Sequence, residues 1–240
     1  MMKQKTDTSP KSSISTIQID GRECLVHKVE KSEHLLLQPV FDHDQEMLDA
    51  EVAAISSLTG KPFTLAAFEV KDWQGELTPW AAPAVFGTMP FGDGAAETLS
   101  FVKDVLLSEL QRQQFYDAET MKCFLGGYSL AGLFALWAGC QTTLFQGLAA
   151  VSPSVWYPDW MDYAESHRPL ASFVYLSLGD KEEKTRNPLM ARVGECIRRQ
   201  HELLAAQGLD TILEWNKGNH FQHAEERTAK GFAWLINHIC

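Results

Sequence analysis

The most informative part of the sequence is Met121-Lys122-Cys123-Phe124-Leu125-Gly126-Gly127-Tyr128-Ser129-Leu130-Ala131-Gly132-Leu133-Phe134-Ala135-Leu136-Trp137-Ala138. An apolar run, a turn of small residues and a second apolar run predict a strand, a sharp turn and a helix. In a nucleophile elbow the serine sits on such a turn, where small neighbours leave room for the backbone. Gly127 meets this requirement, and Ala131 stands where the usual motif has a glycine. A serine before a helix is also a common N-cap, so the nucleophile interpretation of Ser129 depends on the rest of the chain.

Length and charge limit the class of protein. The chain has 240 residues, 45% of them hydrophobic, which fits one large α/β domain. We expect a mobile polar tail at residues 1–13 and a single domain over residues 14–240. The net charge of −10 disfavours nucleic acid and anionic membrane surfaces as partners. A small-molecule substrate is the partner that remains.

Several familiar sequence signals are missing. The five cysteines form no CxxC pair and are odd in number, so we expect reduced packing residues. No apolar run approaches the ~18 residues of a membrane-spanning helix, and the polar start of the chain predicts a cytoplasmic protein. Phosphate-loop, dinucleotide and zinc motifs are absent, so the sequence predicts neither a metal nor another cofactor.

Strands and helices alternate along the chain. A hairpin is predicted around Asp20-Gly21, and strands are then predicted at 34–41, 63–70, 121–128, 147–152, 171–178 and 211–216. Helices are predicted at 45–58, 95–115, after Ser129, at 188–207 and at 224–239. The Gly-, Pro- and Trp-rich segment 73–93 is either a substrate-facing loop or a packed surface loop. This order favours a mostly parallel sheet flanked by helices, with antiparallel N-terminal strands and ligand chemistry at the carboxyl ends of the strands.

A serine nucleophile needs a general base, and the base needs a carboxylate to orient it. His220 follows the last predicted strand and precedes the last helix, where the order serine, acid, histidine places the base. His223 is the alternative base. The acid is expected after the strand that ends at Leu178; we favour Glu182 because it lies a few residues beyond Gly179. The same acidic turn offers two alternatives, Asp180 and Glu183.

The oxyanion of the tetrahedral intermediate needs backbone N–H donors. One is expected from Leu130, at the start of the helix after the nucleophile. The second is expected after the strand that ends at Phe41, from Asp42 or His43, with His43 preferred.

Five short motifs occur in the order of one family. The sequence resembles the esterase family of α/β-hydrolases that includes esterase D, the enterochelin and salmochelin esterases, feruloyl esterases and the mycolyltransferases. The resemblance spans about residues 35–235 and rests on Val40-Phe41-Asp42-His43, Glu76-Leu77-Thr78-Pro79-Trp80, Gly127-Tyr128-Ser129-Leu130-Ala131-Gly132, Ser152-Pro153-Ser154-Val155-Trp156-Tyr157 and Gly218-Asn219-His220. Ala131 and His43 each replace a glycine of the family pattern.

The resemblance implies an α/β-hydrolase fold and a serine esterase that uses Ser129, His220 and an acid, without a cofactor, on a small ester or thioester. It also implies that Trp156 and Trp80 border the substrate, and we expect Tyr128 beside the serine to do the same. Two other functions stay open: an acyltransferase on the same scaffold, and a binding protein that keeps the fold without catalysis.

Overall fold

The structure is a computed structural model that describes residues 14–41 and 45–239. Within these residues eight strands form one sheet in the order β1-β2-β4-β3-β5-β6-β7-β8. The predicted polar tail at 1–13 lies outside the described residues, as do Asp42 and His43. The strands are β1 (Ile14–Ile19), β2 (Arg22–His27), β3 (His34–Val40), β4 (Thr64–Glu69), β5 (Lys122–Tyr128), β6 (Gly147–Val151), β7 (Phe173–Gly179) and β8 (Asp210–Asn216).

The sheet is antiparallel at one edge and parallel elsewhere. β1 and β2 form the predicted hairpin, and Asp20 and Gly21 both have positive φ (50° and 71°), as a tight hairpin turn requires. β2 pairs antiparallel with β4, and all pairs from β4 through β3 to β8 are parallel. The predicted mixture of a mostly parallel sheet and antiparallel N-terminal strands is confirmed.

Helices cover both faces of the sheet because successive strand side chains point to opposite sides. In β3, Leu35 and Leu37 join the core on one face while Leu36 joins the core on the other. The first face carries α3 (Ala95–Ser100), α4 (Leu107–Arg112), α5 (Leu130–Gln141), α6 (Trp160–Ser166) and α7 (Val193–Ala206); the second carries α1 (Gln45–Thr59) and α8 (Ala224–His238). This division leaves the carboxyl edge of the parallel strands open for loops.

The structure refines the predicted elements in three places. The helix predicted at 95–115 consists of α3, a π-helical segment (Phe101–Leu106) and α4, and it ends at Arg112. The helix predicted to begin at 188 begins as α7 after a 3₁₀ turn (Met190–Arg192). The segment 73–93 contains a short helix, α2 (Trp73–Glu76).

α6 has no counterpart among the predicted helices. It is only seven residues long and buries Trp160 and Ala164, four positions apart. So short a helix shows too little periodicity to be recognised from sequence.

Four cysteines lie in the part of the chain that the structure describes. Cys24, Cys123, Cys140 and Cys196 are unpaired, and all but Cys140 are buried, as predicted for packing residues. No helix in residues 14–41 and 45–239 is long and apolar enough to cross a bilayer.

Candidate active site

Ser129 occupies a strained turn between β5 and α5. Its φ is 60° and its ψ is −119°, a conformation that residues other than glycine rarely adopt. The turn is tied to its neighbours by backbone hydrogen bonds: the N–H of Ser129 donates to the carbonyl of Val151 (3.0 Å), and the N–H of Ser154 donates to the carbonyl of Ser129 (3.1 Å). Backbone strain of this kind concentrates at functional sites, and here it lifts the serine above the sheet edge as an elbow does.

Small side chains make the turn possible. A Cβ on Gly127 would lie 2.5 Å from the Cβ of Ala131, and a Cβ on Gly132 would lie 3.0 Å from the carbonyl oxygen of Gly127. Because the methyl group of Ala131 fills the space next to position 127, only glycine fits at that position. Ala131 is thus compatible with the elbow.

The helix that follows Ser129 offers a donor to an anion. Leu130 is the first residue of α5, so its backbone N–H has no acceptor within the helix. The dipole of α5 adds partial positive charge at this end. The second predicted donor, at Asp42 or His43, lies outside the described residues.

His220 stands between Ser129 and Glu182. Its Nε2 lies 3.1 Å from the Oγ of Ser129, and its Nδ1 lies 2.7 Å from Oε2 of Glu182. Ser129 follows β5, Glu182 follows β7, and His220 follows β8, so the three side chains come from three connections at the carboxyl edge of the sheet. These distances allow a proton to pass from the serine hydroxyl to the ring while the carboxylate holds the other ring nitrogen.

The acidic turn after β7 contains three carboxylates with different partners. Glu182 contacts His220, whereas Asp180 accepts the N–H of Gly218 (2.8 Å) and Glu183 lies 3.6 Å from Arg198. The structure therefore brings only Glu182, among these three, to His220. The alternative base His223 pairs with Glu226 on the surface, at 3.4 Å.

Glu182 is buried and held ionised. Its side chain is 4% exposed. Burial alone would raise its pKa, but hydrogen bonds from His220, Ser152 and the N–H of Gly179, with the charge of His220, outweigh burial and leave the pKa below its ordinary value. Oε1 accepts the Ser152 hydroxyl and the Gly179 N–H, each at 2.7 Å. An ionised carboxylate is the form that can orient the Nδ1–H of His220.

Arg227 belongs to the same buried cluster, and the sequence reasoning missed it. Its Nη1 donates to Oε1 of Glu182 (3.0 Å) and to the hydroxyl of Tyr128 (3.0 Å). The signal was present in α8, because Arg227 lies four residues before Gly231 and eight before Leu235, both on the buried face. A charged residue on an apolar stripe could have been recognised as a buried partner of the acid.

Tyr128 lies behind the triad and not on the cleft. Its hydroxyl donates to the backbone carbonyl of His220 (2.8 Å), and the two rings lie 5.0 Å apart. Burial raises the pKa of this hydroxyl, and the nearby charge of Glu182 adds to the effect. Tyr128 is therefore not among the residues that line this cleft, and its hydroxyl holds the loop of His220. Its predicted contact with the substrate stays a prediction.

A cleft of about 620 Å³ opens onto Ser129 and His220. Its apolar wall is formed by Trp73, Phe86, Leu130, Trp156, Met190, Val193 and Phe221, and its polar side includes Ser154, Lys181, Lys184, Thr185 and Asn219. The Oγ of Ser154 lies 3.4 Å from the Oγ of Ser129. Phe221 is 90% exposed and stands edge-on against His220. The cleft can take a molecule whose apolar groups lie against one wall and whose polar groups face the other side.

The two predicted substrate tryptophans have different positions. Trp156 lines the cleft, whereas Trp80 is packed in an aromatic cluster outside it. The Trp80 ring stacks on Trp160, and its indole N–H donates to the carbonyl of Pro158 (3.0 Å). Trp80 therefore supports the loop that carries Trp156. It is not one of the described residues that line the cleft.

Potential metal ligands lie apart from this cleft. His223, Glu225 and Glu226 at the start of α8 bring ligand atoms within 4.8 Å of one another, and each is at least partly exposed. None of the three is a member of the Ser129, His220 and Glu182 cluster.

Comparison with known proteins shows the fold. The chain matches no protein-family model, and no curated protein matches its sequence. The siderophore hydrolase EstA from Aspergillus nidulans is similar, with a TM-score of 0.74 and 16% identity over 99% of this chain and 98% of that one. The IroE-like serine hydrolase from Shewanella oneidensis has a TM-score of 0.73 and 13% identity over 93% and 80% of the two chains. The enterobactin esterase FES from Shigella flexneri has a TM-score of 0.64 and 15% identity over 95% and 60%. The predicted α/β-hydrolase fold is confirmed.

Proposed function

We propose that this chain with an α/β-hydrolase fold is a serine esterase that cleaves a carboxylic ester, or a thioester, through an acyl-enzyme. The observation that carries the proposal is the continuous contact from Ser129 through His220 to Glu182, at 3.1 and 2.7 Å, on the floor of a cleft. A nucleophile, a base and an orienting acid in hydrogen-bond reach form the set that acyl transfer requires.

The first half of the reaction forms the acyl-enzyme. The hydroxyl proton of Ser129 moves to Nε2 of His220 as the serine oxygen bonds to the ester carbonyl carbon. The resulting oxyanion is stabilised by the backbone N–H of Leu130, and we assign the second donor to His43. The tetrahedral intermediate then collapses, the bond to the alcohol oxygen breaks, and the leaving alkoxide takes the proton from His220.

The second half releases the acid. Water gives a proton to Nε2 of His220 and attacks the acyl carbon, and the proton returns to the oxygen of Ser129 as that bond breaks. Glu182 stays ionised throughout and stabilises the imidazolium that forms twice in each cycle. The cycle consumes one water and needs neither a metal nor another cofactor.

The walls of the cleft favour esters with apolar or aromatic groups. Trp73, Phe86 and Trp156 can cover such groups, while Lys181 and Lys184 lie on the polar side. Because two similar structures bear the names siderophore hydrolase and enterobactin esterase, siderophore esters belong in the first substrate screen. Aryl and short acyl esters complete that screen.

The test joins active-site labelling to turnover. A fluorophosphonate probe should label the wild type at Ser129, as peptide mapping can show, and should not label Ser129→Ala. Hydrolysis of p-nitrophenyl esters should fall by about 10³-fold or more in Ser129→Ala and in His220→Ala. Ser166→Ala, an exposed serine on α6, is the control and should keep full activity. Unlabelled Ser129, or unchanged turnover in its variant, would reject the mechanism. Faster transfer to an added alcohol than to water would instead identify an acyltransferase.

A further inference from the structure

Arg227 is a buried cation directly behind the proposed triad. Its side chain is 2% exposed, and it lies against Glu182, whose side chain is 4% exposed. The carboxylate of Glu182 is therefore held between two nitrogen groups, with Oε1 against the guanidinium and Oε2 against the ring of His220. Only one carboxylate separates Arg227 from the ring of His220, so the positive charge of Arg227 affects how strongly this ring binds a proton.

The contacts of Arg227 reach three elements of the site. Nη1 contacts Glu182 and Tyr128 at 3.0 Å each, with the hydroxyl of Ser152 at 3.5 Å. Nη2 donates to the backbone carbonyl of Lys217 (3.1 Å) in the loop that leads to His220. The guanidinium thus contacts the carboxylate of Glu182 directly. It also contacts the hydroxyl of Tyr128 and the backbone carbonyl of Lys217, three residues before His220.

The chain makes room for this pair by close backbone approach. A Cβ on Gly179 would lie 2.4 Å from the carbonyl oxygen of Gly218 and 2.9 Å from Oε1 of Glu182. Gly218 has a φ of 115°, a conformation open chiefly to glycine, and a Cβ there would meet Nη2 of Arg227 at 3.2 Å. Two glycines are thus needed where the acid and the arginine meet.

Stability alone is a poor reason for this arrangement. Burying an ion pair costs desolvation of both charges, and apolar replacements are often as stable. Arg227 is also in the first turn of α8, where the helix dipole disfavours a cation. Its Nε is buried and has no hydrogen-bond partner among the described residues, which adds a further cost. These costs call for an explanation of Arg227 other than stability.

We propose that Arg227 is a positioning residue that offsets the charge of Glu182 and thereby sets the pH above which His220 is free to accept the proton of Ser129. This inference rests on the proposed function. With Arg227 present, the acid and the arginine cancel, so a proton on His220 leaves a buried net positive charge. Without Arg227, the same proton would neutralise a lone carboxylate and would be held more tightly. Loss of Arg227 should therefore strengthen the hold of this cluster on the proton.

Tyr128 extends this control to the position of the ring. Its hydroxyl accepts from Arg227 and donates to the backbone carbonyl of His220. One hydroxyl therefore joins the cation to the backbone of the base. This link keeps Nδ1 aimed at Glu182 while the ring gains and loses its proton.

Other charged groups face this cluster from solvent. Lys181 and Lys184 line the cleft beside Glu182, and Asp180 bonds the N–H of Gly218. On the outer side of Arg227, a surface cavity is lined by Lys181, Lys217, His223, Glu226 and Lys230. These groups are exposed or half-exposed, so water and salt screen them far more than they screen Arg227. Arg227 is the cation in contact with the acid.

The experiment compares variants that remove the charge with variants that keep it. Arg227→Met removes the charge and nearly preserves the volume; Arg227→Gln also removes it, keeps an N–H donor toward Glu182, and serves if the Met variant fails to fold. Both should move the acid limb of the kcat/KM profile for a p-nitrophenyl ester upward by about one pH unit. Arg227→Lys keeps the charge and should leave the limb within about 0.3 unit of the wild type while kcat falls by about tenfold.

The matched control is Lys230→Met, which removes one positive charge three residues further along α8. Lys230 contacts Glu214 and Asn216 and not Glu182, so its variant should keep the wild-type limb. Folded Met and Gln variants that lose rate at an unmoved or lowered limb would overturn the proposal, because a purely structural role predicts that result. An equal upward shift in Lys230→Met would overturn it too.

A readout without turnover separates this proposal from the proposed function. NMR of the His220 ring carbons follows its protonation directly, and the midpoint should move upward in Arg227→Met and Arg227→Gln. If the wild type hydrolyses no ester and Ser129 does not label, the esterase proposal fails while the NMR shift still tests the effect of Arg227. If the variants hydrolyse the ester but the midpoint of His220 protonation does not move, the proposed role of Arg227 is rejected and the esterase proposal stands.

Discussion

Two buried glutamates in different regions of the molecule, Glu51 and Glu182, have pKa values that are shifted in opposite directions. Burial raises the pKa of Glu51 to about 8, with a hydrogen bond from Gln38 opposing the rise and the charge of Glu225 adding to it. Glu182 is buried to a similar degree, yet its pKa lies below the ordinary value. Burial is therefore not what distinguishes these carboxylates.

The partners of each carboxylate explain the difference. Oε2 of Glu51 accepts one amide N–H from Gln38 at 3.2 Å, and its Oε1 has no partner among the described residues. Glu182 accepts four hydrogen bonds, from Ser152, Gly179, His220 and Arg227. Charged donors stabilise an ionised carboxylate where a single neutral amide does not. The same side chain is thus a neutral acid in one region and an anion in the other.

The largest expected effect comes from neutralising the anionic member of this comparison. Glu182→Gln should lower kcat by about 10³- to 10⁴-fold, because an amide can neither stabilise the imidazolium nor fix the ring tautomer as a carboxylate does. Steady-state kinetics on a p-nitrophenyl ester measure the loss. Glu183→Gln is the control at the adjacent position and should stay within about twofold of the wild type, since Glu183 faces Arg198. Comparable losses in both variants would show that contact with His220 is not what makes Glu182 important.

We expect Glu51, the neutral glutamate, to affect the stability of the protein and not its catalytic rate. Because the folded pKa of Glu51 is raised from 4.5 to about 8, the folded state binds a proton that the unfolded state releases between these values. Its stabilising contribution is complete below pH 4.5 and is lost as the pH rises through about 8. Glu51→Gln lacks this loss, so its Tm relative to the wild type should rise by about 5 °C between pH 5 and pH 8.5.

Thermal unfolding by circular dichroism at both pH values tests the Glu51 prediction. Glu119→Gln, at an exposed carboxylate, should show the same Tm difference from the wild type at pH 5 and pH 8.5. A Tm difference for Glu51→Gln that does not change with pH would mean that Glu51 is ionised in the folded protein.

The smallest expected effect comes from removing one donor to Glu182. Ser152→Ala deletes the 2.7 Å hydrogen bond to Oε1 and leaves the contacts with Arg227 and Gly179 in place. We expect kcat to fall by about three- to tenfold, in line with a net hydrogen bond of about 1 kcal/mol. Ser177→Ala, at an equally buried serine on β7 that is not among the donors to Glu182, should change kcat by less than twofold. A larger loss at Ser177 would shift the explanation from the hydrogen bond to packing.

Much of the fold could be predicted because its signals are local. The Asp20-Gly21 turn fixes a hairpin, and the apolar periods of the strands and long helices repeat often enough to be read. The exact start of α7 and the existence of α6 could not be predicted, since few residues of short turns and helices are buried. Element order then implied the parallel sheet through its crossovers.

The proposed site was predictable in part. Ser129 and His220 stand out because each follows a strand in a recognisable turn, and the structure places them 3.1 Å apart. Trp80 and Tyr128 lie outside the lining of the cleft for a common reason: an aromatic residue beside a motif can face either the cleft or the interior. Only packing shows that Trp80 stacks on Trp160 and that Tyr128 points to Arg227.

The elbow, the alternation of strands and helices, and the place of His220 after the last strand could be predicted from local sequence, because turn chemistry and apolar periodicity act over a few residues. Which carboxylate contacts His220, and which cation contacts that carboxylate, depends on the tertiary structure. Those contacts join residues 38 and 45 positions apart, and one hydroxyl connects residues 99 positions apart. Three neighbouring acidic side chains are equivalent in an extended chain. They differ in the folded protein because the loops after β7 and β8 and the first turn of α8 bring His220 and Arg227 to Glu182 alone.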